Sequence, residues 1–228
     1  IGAFALYRTT TSSSNTAVGT SSLHENTTGF SNTAIGGIAL YANTTGIYNT
    51  GMGHEASRYN STGGCNTSVG YKALRSNTVS DNTAVGCNAL TANTTGTANT
   101  AVGKDALLSN TTVSSLTAVG YYALRANTSG YSNTALGYKT LAINTTGSRC
   151  TAVGFEALQN NTSGILNTGV GNYALYTNST GTRNVAVGSG ALRLNTTGLN
   201  NTAVGSGALY ANSTGIYNAA FGTSALGV

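Results

Sequence analysis

Apolar residues recur along this chain in a pattern that is neither helical nor simply alternating. A small residue and a β-branched one are followed by glycine, two variable positions, Ala-Leu, two more variable positions and Asn-Thr-Thr-Gly. The unit Asn-Thr-Ala-Val-Gly-x-x-Ala-Leu-x-x-Asn-Thr-Thr-Gly-x-x is 17 residues long. It restarts at Asn15, Asn32, Asn49, Asn66, Asn82, Asn99, Leu116, Asn133, Cys150, Asn167, Asn184, Asn201 and Asn218. A constant period of this size marks a repeat architecture, in which each unit buries its apolar face only by stacking on the next. One interval, from Asn66 to Asn82, is 16 residues, because Asn77-Thr78-Val79-Ser80-Asp81 lacks a turn residue. Residues 1–14 enter the frame at position 4, twelve repeats fill 15–217 and a partial repeat occupies 218–228. This predicts one continuous array over 1–228, excerpted from a longer one.

Each column of the unit carries a structural expectation. Thr-Ala-Val before glycine reads as a short strand, Ala-Leu as a second, and Asn-Thr-Thr-Gly as a turn. Glycine at positions 5 and 15 would break a helix in nearly every copy, so the predicted fold is all-β: a single-stack parallel β-solenoid of about thirteen rungs. Rungs stacked at ~4.8 Å give a rod of about 60 Å. The apolar columns at position 4 (Val18, Val85, Val153) and position 9 (Leu23, Leu90, Leu158) are the expected core. The glycines at position 5, such as Gly19, Gly86 and Gly154, are the expected corners. If strands alternate, the alanines at position 3 (Ala17, Ala34, Ala101) and position 8 (Ala39, Ala73, Ala208) point away from that core. Such small apolar faces suit another copy of the chain, so a homo-oligomer is expected.

Composition narrows the function classes. Charged residues make up 7% of 228, proline and tryptophan are absent, and glycine numbers 31. The net charge of +5 is spread without a basic run, which is too dilute for a nucleic-acid footprint. No apolar stretch approaches the ~20 residues that span a bilayer, so no membrane insertion of this segment is expected. Catalysis needs unlike groups converging at one point, and the sequence offers no acid pair, no nucleophile with a base and no metal cluster. His24 and His54 fall in different columns. The chain is therefore read as no enzyme, with no cofactor and no metal.

Three candidate features remain. Position 10 collects Tyr7, Tyr41, Arg58, Arg75, Arg125, Tyr176, Arg193 and Tyr210, either a surface stripe that binds a partner or a ladder that stabilises the stack. Eleven copies of the turn match the Asn-x-Ser/Thr glycosylation pattern, at Asn26, Asn43, Asn60, Asn93, Asn110, Asn127, Asn144, Asn161, Asn178, Asn195 and Asn212. The competing reading, an Asn ladder stacked from rung to rung, is preferred. Cys65, Cys87 and Cys150 form neither a disulfide framework nor a zinc ribbon; Cys65 and Cys150, five rungs apart, are expected to be unpaired within the chain.

The strings Asn-Thr-Ala-Val-Gly-x-x-Ala-Leu at 82–90 and 201–209 resemble the head repeat of YadA-type trimeric autotransporter adhesins and a repeat of phage tail fibres. The resemblance spans essentially the whole chain, although this unit is longer by its Asn-Thr-Thr-Gly turn. It implies a left-handed parallel β-roll, trimeric, on a bacterial surface or a virion. The expected function is a structural or adhesive extracellular fibre segment, with self-association as a trimer or an end-to-end filament and with surface glycans or proteins as partners. The alternative is a ligand-recognition module, binding either a phage receptor or ice through the outward Thr column (Thr16, Thr33, Thr83, Thr100, Thr134).

Overall fold

The computed structural model describes residues 1–227, which fall into two compact units, 1–115 and 116–227. Each is a parallel β-solenoid of 17-residue rungs, and no helix occurs among the described residues. The first unit contains β1 (Thr16–Val18), β2 (Thr33–Ile35), β3 (Thr50–Met52), β4 (Thr67–Val69), β5 (Thr83–Val85) and β6 (Thr100–Val102). The second contains β7 (Thr117–Val119), β8 (Thr134–Leu136), β9 (Thr151–Val153), β10 (Thr168–Val170), β11 (Val185–Val187), β12 (Thr202–Val204) and β13 (Ala219–Phe221). Within a unit, successive strands pair in parallel and identical columns face one another. Thr16 lies opposite Thr33 and Ala17 opposite Ala34 in the first; Thr134 lies opposite Thr151 and Ala135 opposite Ala152 in the second.

The Ala-Leu segment expected to be a second strand is instead a run of tight turns. Three positions of a rung adopt the left-handed conformation in side-chain-bearing residues; in one rung they are Glu156 (φ 53°), Leu158 (φ 51°) and Leu166 (φ 58°). Left-handed backbone is hardest on β-branched side chains, whose second γ atom crowds the carbonyl. This explains why a chain full of Thr and Val places Leu, never Val or Ile, at position 9, and why Ile38 is the one β-branched residue among the left-handed side chains. Position 5 goes further. Gly154 has φ +128°, and a Cβ there would lie 2.6 Å from the carbonyl oxygen of Gly171 in the next rung, so only glycine fits. The corners expected at Gly19 and Gly86 have the same geometry, at φ +128° and +135°.

The core differs from its expectation in three columns, at positions 3, 4 and 8. Leu23, Leu90 and Leu158 are fully buried as expected, but Val18 is 39% exposed and Val85 and Val153 are only half-buried. The strand alternates in the opposite sense: Ala34, Ala84 and Ala152 point inward at 0% exposure, and Ala39, Ala73 and Ala208 are equally buried beside the leucines. The alanines therefore close the inside of each rung and are not available to another chain. With so many reversals in 17 residues the cross-section is narrow. The Cβ of a residue replacing Gly51, in the alanine column, would stand 3.0 Å from Leu40 Cγ, so position 3 has room for a methyl group and little more.

What completes the interior is polar. Asn32 and Asn49 in the first column and Asn26, Asn43, Asn161 and Asn178 in the turn column are 0–1% exposed. Both columns converge on the carbonyl of the turn glycine: Asn32 Nδ2 donates to Gly46 O at 2.8 Å and Asn43 Nδ2 donates to the same oxygen at 3.0 Å. Each column also runs from rung to rung. Asn32 Oδ1 accepts the backbone amide of Asn49 at 2.9 Å, and Asn43 Nδ2 donates to Asn26 Oδ1 at 2.8 Å. These bonds satisfy backbone groups that a core of alanine and leucine would leave stranded, which is why the asparagines can be buried.

Candidate functional site

The outward face of the strands is the most regular surface in either unit. It carries Thr at position 2, replaced by Val185 and Ala219 in the second unit, and an apolar residue at position 4, in register from strand to strand. In the first unit Val18, Ile35 and Met52 follow one another at 39, 38 and 39% exposure. In the second, Leu136, Val187 and Phe221 are the most open members of the same column. A side chain of this kind exposed singly is ordinary; an in-register column of them on a parallel sheet is not. The ice-binding reading concerns the neighbouring column, where Thr16 and Thr134 are exposed and Thr33, Thr83 and Thr100 half-buried.

The position 10 residues are gathered into contacts within each unit. Tyr7 stacks on His24 (ring centroids 5.2 Å apart), which stacks on Tyr41 (5.0 Å). The guanidinium groups of Arg58 and Arg75 each lie 5.0 Å from the ring centroid of Tyr59, Arg125 covers Tyr122, and Arg193 donates to the hydroxyl of Tyr210 at 3.0 Å. Tyr176 packs edge-on against Tyr173. A second stack, not anticipated, runs through position 6: Tyr121, Tyr138 and Phe155 are near-parallel at 5.4 and 5.0 Å. Their shared column was the available signal. Rings stacked on one another offer their edges to solvent and keep their faces, which is the arrangement of a stabilising ladder.

The glycosylation reading meets a direct obstacle. The nitrogen to which a glycan would be joined is the donor of the ladder: Asn161 Nδ2 donates to Asn144 Oδ1 at 2.8 Å and to Gly164 O at 3.0 Å. Asn26, Asn43, Asn60, Asn93, Asn110, Asn127, Asn144, Asn161, Asn178 and Asn195 are all 0% exposed, and Asn212 is half-buried. In the folded chain the ten fully buried turns are closed to N-linked modification.

All three cysteines are free: Cys65 exposed, Cys87 half-buried and Cys150 buried. Cys150 takes the place of a ladder asparagine, and its Sγ reaches Gly164 O at 3.4 Å in place of an amide donor. Burial pushes its thiol up to about 11. Among the described residues no three His, Cys, Asp or Glu side chains gather into a metal site, and no helix is long and apolar enough to cross a membrane. Compared with known proteins, the chain matches no family model, no curated protein and no solved structure.

Proposed function

We propose that this chain is a segment of a structural or adhesive extracellular fibre, without catalytic activity, that packs against copies of itself through the Thr and Val face of its strands. The observation that carries this reading is the exposed, in-register column Val18, Ile35 and Met52. Parallel sheets are ordinarily covered on both faces. The inner face here is filled by Ala and Leu, and the outer one bears the apolar residues of an uncovered layer. Identical rungs give identical faces, so a cyclic assembly matches each column to itself around the axis. Three copies is the number implied by the resemblance to YadA-type head repeats, and the same resemblance supports an extracellular location. The aromatic and cationic columns at positions 6 and 10 stabilise the stack within each chain, and surface glycans or proteins meet only their edges.

Ice binding is favoured only by the in-register Thr column, and it needs the same face to stay bare. Electron microscopy of the native material separates the two readings: fibres thicker than one chain support self-packing. Single chains that produce thermal hysteresis support the ice reading instead.

A further inference from the structure

One junction in the first unit, between the rung starting at Asn49 and the rung starting at Asn66, departs from its neighbours in several independent ways. The second of these rungs lacks a turn residue. Elsewhere the turn amides bond down the stack: Thr27 and Thr28 donate to Thr44 O at 3.0 and 3.1 Å, and Thr94 and Thr95 to Thr111 O at 2.8 and 3.2 Å. Ser61 and Thr62 make no such bond to Thr78. The turn asparagine ladder stops at the same place. Asn77 Nδ2 turns to Val79 O at 2.6 Å, and the buried Asn60 Oδ1 has no partner. The core changes as well: Ser57 stands in the leucine column and Ser68 in the alanine column, their hydroxyl oxygens 2.8 Å apart.

Across the outside of this junction runs a set of side-chain bridges. Arg75 Nε donates to the Glu55 carboxylate in the rung above, Arg75 Nη2 reaches Tyr59 Oη at 3.4 Å, and His54 stacks on Tyr71 with ring centroids 5.9 Å apart. Arg58, in the same rung as Glu55, lies 3.5 Å from its carboxylate and covers the Tyr59 ring, so that both guanidiniums converge on one acid and one ring. Burial pushes the Glu55 carboxyl up, but the hydrogen bond and charge of Arg75, with Arg58 and Lys72, outweigh it and hold the group below its ordinary value.

We infer that this junction is a latched seam: the place where the first unit opens first, held shut from outside by the Glu55, Arg75 and Tyr59 cluster in compensation for the missing turn bonds, the broken ladder and the polar core. Local opening follows the regions with fewest buried apolar contacts and backbone bonds, and here both deficits coincide. A latch made of a partly exposed ion pair yields to ionic strength, whereas the buried asparagine columns do not.

Hydrogen exchange of the full chain, read by mass spectrometry, tests this. Glu55→Gln is expected to raise exchange in peptides covering 60–81 by about two- to fivefold and to leave those covering 15–45 unchanged. In a Ser57→Leu, Ser68→Ala background, which restores the apolar core, the same substitution is expected to have a smaller effect. The wild-type chain at about 1 M salt provides an independent reading that needs no variant, with the same selective rise expected. Unchanged exchange at 60–81, or a rise spread evenly along the unit, overturns the seam.

Discussion

The side-chain oxygen of Asn15 accepts the backbone amide of Asn32, one rung away, at 2.8 Å. The Asn15 amide nitrogen meanwhile donates to Gly29 O at 2.8 Å, so one side chain joins two successive rungs and pins the turn of its own. Repetition turns this into a polar spine beside the apolar one. A rung needs both, because a coil this narrow has too little apolar volume to hide its backbone otherwise.

Removing one member of the spine leaves several groups unpaired at once. Asn161→Ala withdraws the donor to Asn144 and Gly164 and the acceptor of Asn178 Nδ2. It is expected to destabilise the chain by about 2–4 kcal/mol in urea unfolding. Ser163→Ala, two residues on and exposed, is expected to change it by under about 0.5 kcal/mol.

Burial of the acceptor nitrogens fixes the order of folding and modification. A chain secreted through a glycosylating host can be modified at Asn144, Asn161, Asn178 or Asn195 only before its rungs close. Intact-mass analysis of the folded fraction is expected to show these asparagines bare. Occupied sites are expected only in aggregated or degraded material.

The repeat period, the solenoid and the leucine column were legible in the sequence because all three depend on spacing. The sense of the strand was not. Alternation puts Thr16 and Val18 on one side and Ala17 on the other, and hydrophobicity alone favours Val inside. The deciding quantity is the width of the coil, set by left-handed residues such as Leu158 that no residue type announces. The buried asparagines were hidden for a related reason: Asn in a turn motif reads as solvent-facing. Their near-invariance among the copies, beside the variable Phe30, Ile47 and Tyr131, was the internal sign that they face inward.

The left-handed leucines give a prediction that burial alone does not. Substituting Leu by Met or Ile in a core ordinarily costs under about 1.5 kcal/mol either way. At Leu158, with φ 51°, Ile adds a β-branch where the backbone tolerates none well. Thermal unfolding is expected to place Leu158→Ile about 1–2 kcal/mol below Leu158→Met.

Cys150 makes part of the stability depend on alkaline pH. Its folded value, about 11, lies above the ordinary 9.0, so the folded state holds the thiol proton more tightly than the unfolded state does. The contribution is fully present below pH 9 and is lost as pH rises toward 11. Cys150→Ala is expected to flatten the stability profile across that window. In alkylation of the folded wild-type chain, Cys65 is expected to react first and Cys150 last.

Sedimentation equilibrium, comparing the wild-type chain with Val18→Lys, Ile35→Glu, Met52→Lys, bears most directly on self-packing through the strand face. The alternating charges avoid like-charge neighbours on adjacent strands and leave the alanine and leucine interior untouched. The wild type is expected at a small whole-number multiple of 22.8 kDa, three by preference, and the variant at a single chain with its β signature intact. A wild type that stays at 22.8 kDa at every concentration, or a variant that associates as before, would contradict packing through this face.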